Sequence, residues 1–264
     1  MKKSMNSIKI VKRMKKIEEI YGVKTAYVTE GDGQDMILLH GWGQNKEMMQ
    51  AIFDYFKDSY RVYAFDFPGF GESDDPKEAW GVPDYELFLE AFVKHNHIVN
   101  PILVGHSFGC RVAIRYSAKN PVDKMCLTGA AGIRPKQSLE DQVKVKMYKA
   151  GKWFLKVTGQ TEKLQELQKS SGSEDYRNAK GIMRPTFVKV VNDDVTPILS
   201  DVKCPVLLVW GDLDTAAPLW MGQQMEKMMP NAGLAIFAGD DHFAYWHQAD
   251  RFNRVLEIFL KGEA

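Results

Sequence analysis

The chain has 264 residues, of which 45% are apolar and 26% are charged, and its formal net charge is +1. This length and apolar content suffice for one substantial α/β core, and a nearly neutral chain gives no general argument for nucleic-acid binding. The three cysteines have no metal-ligand spacing, which favours buried thiols in a reducing compartment over a disulfide framework.

The N-terminal segment, residues 1–16, is rich in Lys and Arg and contains no Asp or Glu. It lacks the continuous apolar region of a secretory signal, and no run in the chain approaches the length of a membrane span. We therefore expect a cytoplasmic protein without stable membrane insertion. The segment itself is expected to be a frayed or partly helical extension, with a membrane-surface contact as the alternative.

Short apolar runs alternate with helical patterns along most of the chain, which predicts a doubly wound, mostly parallel eight-stranded sheet with helices on both faces. The predicted strands lie near 15–20, 23–29, 35–39, 61–65, 101–105, 124–128, 205–210 and 233–238. The predicted helices lie near 45–57, 84–98, 108–119, 218–229 and 250–261.

The segment 105–109 reads Gly-His-Ser-Phe-Gly and lies between a predicted strand and a predicted helix. In such a sharp turn the serine hydroxyl is exposed, and the glycines let neighbouring elements approach closely. The context predicts that Ser107 is a nucleophile; the alternative is a glycine-rich turn with an ordinary surface serine.

Residues 134–190 interrupt the alternation, because they contain no clear strand and read as several helices broken by glycines. We therefore divide the chain into a core, residues 1–133 and 191–264, and a helical insertion, residues 134–190. Lys and Arg outnumber Asp and Glu in the insertion, which is compatible with an anionic substrate or simply with a solvated face.

Two further polar residues follow apolar runs in the C-terminal third of the chain, namely Asp214 and His242. Open α/β sheets place their ligand crevice at the carboxyl ends of the strands, so both are expected to lie near Ser107. An imidazole can take the serine proton, and a carboxylate can orient and stabilise that imidazole. Asp212 is the alternative to Asp214 as the acid. Asp66 also follows a predicted strand, but it opens a Pro-Gly turn and is expected to hold its loop.

With these motifs in this order, the chain resembles the α/β-hydrolase superfamily, in particular the lid-bearing branch that includes carboxylesterases. The resemblance covers residues 14–133 and 191–264. The segment 40–45, which reads His-Gly-Trp-Gly-Gln-Asn, is also similar to the corresponding segment of bacterial pimeloyl-ester carboxylesterases. The motifs of the resemblance are 40–43 (His-Gly-Trp-Gly), 66–73, 105–109, 210–214 and His242 before a C-terminal helix.

The resemblance implies an oxyanion hole formed by the backbone N–H groups of Trp42 and Phe108. It also implies that residues 134–190 form a lid and that His40 has a structural role. Apolar side chains of the lid and core are expected to line an acyl pocket, although each lid residue could instead pack the lid onto the body. The expected substrate-binding residues are Trp42, Phe108, Met147, Trp153, Phe154, Met183 and Phe243.

The expected function is hydrolysis of a small carboxylic ester through an acyl-enzyme, with no metal or organic cofactor and no nucleic-acid partner. Carbon–carbon bond hydrolysis is an alternative, although such relatives often carry Trp directly after the catalytic histidine, where this chain has Phe243. The same residues are also compatible with a thioesterase, an acyltransferase or a slow-turnover ligand sensor. No oligomeric state is predicted.

Overall fold

The computed structural model describes residues 14–134, 139–161, 163 and 173–262. The basic segment 1–13, on which the expectation of an N-terminal extension rests, lies outside the described residues. The strands are β1 (Met14–Ile20), β2 (Val23–Glu30), β3 (Asp35–Leu39), β4 (Arg61–Phe65), β5 (Ile102–His106), β6 (Met125–Thr128), β7 (Val206–Gly211) and β8 (Ala232–Phe237).

The α-helices in these ranges lie between or after the strands, and two 3₁₀ segments, Lys46–Met49 and Thr196–Asp201, accompany them. The helices are α1 (Gln50–Phe56), α2 (Val82–His95), α3 (Phe108–Ser117), α4 (Leu139–Val157), α5 (Glu174–Asn178), α6 (Met183–Val191), α7 (Leu219–Met228), α8 (Ala244–His247) and α9 (Ala249–Lys261).

The strands form one sheet in the order β1-β2-β4-β3-β5-β6-β7-β8. Strands β1, β2 and β4 pair antiparallel, and all later neighbours are parallel. This confirms the predicted doubly wound sheet, and every predicted strand boundary is within one residue of the observed one. Central strands such as β5 are buried along their whole length, as is expected when helices cover both faces of a parallel sheet.

Helix ends differ more from the prediction than strand ends do. Helix α2 begins at Val82 because Gly81 is its N-cap, with the Gly81 N–H donating to the Asp84 carboxylate at 2.6 Å. It ends at His95, and His97 then adopts a left-handed φ of 53°, which stops the helix before the predicted residue 98. The predicted helix 45–57 is a 3₁₀ turn followed by α1.

Two apolar cores fill the two faces of the sheet. Helices α2, α3 and α7 pack on one face, where Phe88, Val112 and Met225 are fully buried. Helices α1 and α9 pack on the other face through side chains such as Phe53 and Phe252. The sheet is thereby held rigidly, which fixes the positions of the loops at its carboxyl edge.

A buried ion cluster ties together two of these loops. The Asp66 carboxylate, completely buried after β4, accepts hydrogen bonds from the backbone N–H and the Nζ of Lys46, both at 2.7 Å. Its Oδ2 also accepts the Glu72 N–H at 2.9 Å. The expectation that Asp66 holds its loop is thus confirmed, and the same contacts anchor the segment just after Trp42.

The two edges of the sheet are closed in different ways. The edge strand β1 is lined by charged residues, including Lys15, which pairs with Glu72 at 2.6 Å. At the other edge, the β8 backbone N–H of Leu234 donates to the Glu226 carboxylate at 2.9 Å. The Ile236 carbonyl of the same strand accepts from Arg251 at 3.5 Å.

Across the ranges that the structure covers, no helix is both long and apolar enough to cross a membrane.

Candidate active site

Three polar side chains meet at the carboxyl edge of the sheet. Ser107 directly follows β5, and Asp214 and His242 lie in the loops after β7 and β8. The His242 Nε2 is 3.0 Å from the Ser107 Oγ, and the His242 Nδ1 is 2.7 Å from the Asp214 Oδ2. The structure thus brings together the serine, imidazole and carboxylate that the sequence indicated, in a continuous hydrogen-bonded chain.

The backbone at Ser107 is in a sparsely populated conformation, with φ 49° and ψ −105°. Positive φ is costly for a residue with a side chain, so its neighbours must hold it in place. Gly109 makes this possible, because a Cβ there would lie 2.3 Å from the Leu39 carbonyl oxygen. The tight approach of α3 to β3 therefore fixes the turn and presents the hydroxyl outward.

The two candidate acids have different partners. Besides His242, Asp214 accepts the backbone N–H groups of Ala216 and Ala217 through its Oδ1, both at 2.8 Å, and it is buried. Asp212 instead accepts the Gly239 N–H at 2.7 Å and so links the loops after β7 and β8. Of the two acids, Asp214 is the one that is hydrogen-bonded to His242.

Two backbone N–H groups were expected from the sequence to form an oxyanion hole, and both residues line the cavity that contains Ser107. These belong to Phe108, the first residue of α3, and to Trp42, in the loop after β3. Within the described residues neither N–H has a hydrogen-bond acceptor. The loop of Trp42 is shaped by Gln44, whose Oε1 accepts the Gly41 N–H at 3.0 Å.

Two buried histidines lie beside the site but are not part of the hydrogen-bonded chain. The ring of His40 lies between the Gly41 carbonyl, 2.7 Å from Nδ1, and the Phe67 N–H, which donates to Nε2 at 3.0 Å. Burial lowers the pKa of His40 to about 4, so it stays neutral and serves the fold. The pKa of His106, lowered well below its ordinary value mainly by burial, is consistent with a neutral ring that packs 4.8 Å from His242.

A cavity of about 600 Å³ opens over the serine, a size typical of small-molecule sites. Of the expected substrate-binding residues, Trp42, Phe108 and Phe243 line it. Phe187 of α6 also lines it and packs against the Trp42 ring at 5.1 Å. The other walls include Gln44, His106, Arg111, Ala131, Ser173, Asp175, Val190, Val191, Thr215, Ala216 and Asp241.

A second cavity of about 650 Å³ adjoins the first and shares Trp42, Asp175 and Phe243 with it. Met183, another expected substrate-binding residue, lines this second cavity and is itself buried. Its sulfur fills the space beside Gly69, where a Cβ would lie only 2.2 Å away. Helix α6 thus supplies apolar walls to both cavities.

The expectation for three residues of α4 needs correction. Met147, Trp153 and Phe154 are 70%, 67% and 56% exposed, and none of them lines either cavity. The apolar side chains of this region that are observed to pack against the core belong to α6, where Met183, Phe187 and Val190 are buried at spacings of three and four residues. An amphipathic pattern shows that a helix has an apolar side but not what that side contacts.

We expect Met183→Ala to change acyl-chain preference, because the smaller side chain enlarges the second cavity beside Trp42. Trp153→Ala is the matched control, since that side chain is exposed and lines neither cavity. The measurement is kcat/KM for p-nitrophenyl esters of two to ten carbons, together with the melting temperature. The expected shift is several-fold toward longer chains in Met183→Ala alone. A changed profile in Trp153→Ala, or a melting temperature drop without a changed profile in Met183→Ala, would contradict this assignment.

Sequence reasoning missed several polar residues of the cavity. Arg111 could have been found from its position, because it lies in the first turn of the predicted helix after Ser107, at the carboxyl edge of the sheet. Asp175 gave no such signal, since α5 lies far from any motif. Cys110, whose role the sequence does not indicate, is fully buried behind the turn, and its thiol donates to the Thr128 carbonyl.

In the part of the chain that the structure describes, one group of side chains has spacing compatible with a metal ion, namely Asp240, Asp241 and His247. The His247 Nδ1 and the Gln248 amide already donate to the Asp240 carboxylate, both at 2.7 Å. These contacts explain why the three side chains lie together: they stabilise the loop that contains His242.

Comparisons with known proteins agree with this geometry. A family model described as the alpha/beta hydrolase family matches residues 36–255. A 2-hydroxy-6-oxononadienedioate/2-hydroxy-6-oxononatrienedioate hydrolase of Burkholderia vietnamiensis is 28% identical over 276 residues, covering 93% of each chain. A pimeloyl-[acyl-carrier protein] methyl ester esterase of Aliivibrio fischeri is 23% identical, covering 89% of this chain and 97% of that protein. The solved esterase from Exiguobacterium antarcticum has a TM-score of 0.73 at 20% identity, covering 94% of this chain and 100% of its own, which supports the fold alone.

Proposed function

The chain belongs to the alpha/beta hydrolase family, whose model spans residues 36–255, and from this premise we propose that it is a serine hydrolase that cleaves a small carboxylic ester. The observation that supports the proposal most directly is the hydrogen-bonded chain Ser107–His242–Asp214 at the floor of a cavity. A serine at 3.0 Å from an imidazole that is itself oriented by a buried carboxylate is the arrangement for nucleophilic acyl transfer.

In the first half of the reaction, the Ser107 Oγ attacks the ester carbonyl while the His242 Nε2 takes its proton. The carbonyl oxygen becomes negatively charged, and the Trp42 and Phe108 N–H groups donate to it. Asp214 holds the Nδ1–H of His242, so that Nε2 is the basic nitrogen, and stabilises the imidazolium that forms. The imidazolium then protonates the departing alcohol, which leaves an acyl-serine.

In the second half, water attacks the acyl-serine and His242 takes one of its protons. The tetrahedral intermediate collapses, the Ser107 Oγ receives the proton back, and the carboxylic acid is released. The same acyl-enzyme would serve a thioester substrate, or another acceptor in place of water, so thioesterase and acyltransferase activities stay as alternatives. A slow-turnover sensor would differ in the rate of this second half.

Carbon–carbon bond hydrolysis is the second candidate, and a specific comparison favours it. The relative at 28% identity is named as a dienedioate hydrolase. In contrast, the relative from Aliivibrio fischeri is named as a methyl ester esterase, and this one agrees with the ester proposal. We place the ester first because Ser107, His242 and Asp214, with the two backbone N–H groups, suffice for every step of ester hydrolysis described above.

We also propose that the helices of residues 134–190 act as a lid over the serine. Helix α6 supports this, because Phe187 and Val190 line the cavity at Ser107. The side chain of Thr186 accepts the Trp80 N–H at 3.1 Å and joins the helix to the body. Closing such a cover excludes water and strengthens the contacts to the oxyanion.

The test of the proposed function compares three substrate types with the same enzyme preparation: p-nitrophenyl esters, acyl thioesters and a dienol-type carbon–carbon substrate. We expect multiple turnovers on the esters and labelling of Ser107 alone by a fluorophosphonate probe. Faster cleavage of the carbon–carbon substrate would move the protein to the second candidate. A single burst without further turnover would favour the sensor, and labelling at another serine would refute the site.

A further inference from the structure

A half-buried arginine lines the wall of the proposed active-site cavity. Arg111 lies in the first turn of α3, which begins directly after Ser107, and both residues line the same cavity. Among the cavity-lining residues that the structure describes, Arg111 is the one Lys or Arg. The proposed mechanism makes no use of it.

The hydrogen bonds of Arg111 leave most of its donors available. A guanidinium has five N–H donors, and Arg111 uses Nη1 to bind the backbone carbonyl of Asp193 at 2.5 Å. The Asp193 carboxylate is instead bound by Arg115, one turn further along α3. In the described ranges Arg111 therefore has no carboxylate bonded to it.

In these surroundings, a guanidinium without a bonded carboxylate is energetically unfavourable. The pKa of Arg111 is lowered to about 10, mainly by burial and also by the nearby Arg134 and Arg115, against the opposing effect of Asp193 and Asp194. A partly buried cation is usually paired with an anion, because removing it from water is otherwise unfavourable. A cation that faces a ligand cavity and lacks such a partner is suited to an anionic ligand.

Charges in the cavity are separated rather than mixed. Asp175 lines the part that joins the second cavity, near Trp42, whereas Arg111 lines the first cavity only. Burial raises the pKa of Asp175, which marks a wall that disfavours negative charge. The third charged group, Asp241, accepts the Phe243 N–H at 2.8 Å as part of its loop. Among the described side chains that line the first cavity, Arg111 is therefore the favourable partner for an anionic substrate group, whereas the exposed Lys180 lines the second cavity.

We infer that Arg111 binds a carboxylate carried by the substrate, so that the protein acts preferentially on esters with a second, anionic group near the scissile carbonyl. This inference rests on the proposed function and names its substrate class. The guanidinium fork suits a carboxylate held by two parallel N–H donors. Because Arg111 and Ser107 line the same cavity, one substrate molecule can place its carboxylate at Arg111 and its ester carbonyl at Ser107.

The test measures the ratio of kcat/KM for an anionic ester to that for a neutral ester of equal length. The anionic arm uses p-nitrophenyl monoesters of succinate, glutarate and adipate, and the neutral arm uses the matching monocarboxylate esters. A third arm, the butyrate ester of 4-hydroxybenzoate, carries the carboxylate on the alcohol side. In the unmodified protein, we expect this ratio to exceed one for one of the two anionic ester types. In Arg111→Met the ratio should fall about 10- to 100-fold, the range for a lost hydrogen bond to a charged group.

Two further variants separate substrate binding from structure. Arg111→Lys keeps the charge but loses the planar fork, so its ratio should be intermediate. Arg115→Met is the matched control, because it removes a neighbouring arginine that contacts the same Asp193 but does not line the cavity. The ratio should be unchanged in Arg115→Met. Equal losses on both ester types in Arg111→Met, or an equal fall of the ratio in Arg115→Met, would overturn the inference.

A binding measurement separates this inference from the proposed function. In Ser107→Ala, calorimetric titration with the preferred anionic ester should show binding that weakens about 10- to 100-fold in the Ser107→Ala/Arg111→Met double variant. If Ser107→Ala still turns over esters, the proposed mechanism fails while the binding comparison stays valid. If the enzyme hydrolyses neutral esters but prefers no anionic arm, the inference fails and the proposed function stands.

Discussion

Ser107→Ala is expected to reduce ester turnover by on the order of a million-fold, the loss seen when the serine of comparable triads is removed. The structure supports so large an effect because the only bond of the Ser107 hydroxyl in the described ranges is the one to His242. Alanine has the same Cβ as serine, so the left-handed turn at φ 49° is no more strained by it. The melting temperature should therefore stay within a few degrees while the activity is lost.

The matched control is Ser117→Ala in the same helix, where the buried hydroxyl donates to the Ile114 carbonyl at 3.1 Å. That variant should keep its turnover and lose a little stability. Steady-state kinetics on p-nitrophenyl butyrate and a thermal melt of each variant suffice for the comparison. Turnover in Ser107→Ala within tenfold of the unmodified protein would mean that another group is the nucleophile.

Asp214→Asn is expected to depress turnover by about ten-thousand-fold, the loss known for a triad asparagine. Its Oδ1 accepts the N–H groups of Ala216 and Ala217, so an asparagine would keep its carbonyl there and turn its NH₂ toward the His242 Nδ1. That nitrogen would then have to accept rather than donate. The proton would move to Nε2, where it prevents the imidazole from taking the proton of Ser107.

Asp212→Asn is the comparison variant, because Asp212 contacts the Gly239 N–H and can keep that bond as an amide. Its turnover should fall by less than tenfold. A rate profile against pH for both variants shows whether the loss in Asp214→Asn is restored at high pH. If Asp212→Asn is the more damaging change, the assignment of the acid is wrong, although the reaction class could stand.

The fold and the three hydrogen-bonded side chains of the candidate site could be predicted because each depends on local sequence. Buried parallel strands read as apolar runs, and the residue after such a run lies at the carboxyl edge of the sheet whatever the loops do. Ser107, Asp214 and His242 all follow strands in this way. The sharp turn at Ser107 was recognisable as well, because both of its glycines permit close packing: Gly109 lies against β3, and Gly105 lies against the start of α3.

The cavity walls could not be predicted to the same extent, because they depend on how helices pack over the sheet. Trp153 of α4 and Met183 of α6 have similar apolar neighbours in sequence, yet one is exposed and the other lines a cavity. Arg111 shows an intermediate case. Its closeness to the site could have been deduced from its place in the first helical turn after Ser107, but the absence of a bonded carboxylate within the described residues emerged from the structure alone.

The edges of the sheet have a consequence for how copies of this chain can associate. A strand with free N–H and C=O groups on its outer side is a template for another strand, and this is a common route to aggregation. At β8 the Leu234 N–H and the Ile236 carbonyl are bonded to Glu226 and Arg251, and at β1 charged side chains such as Lys15 disfavour an approaching strand. A second copy that extended the sheet would have to displace these partners. Intermolecular strand addition is therefore disfavoured at both ends, even though the sheet itself is largely apolar.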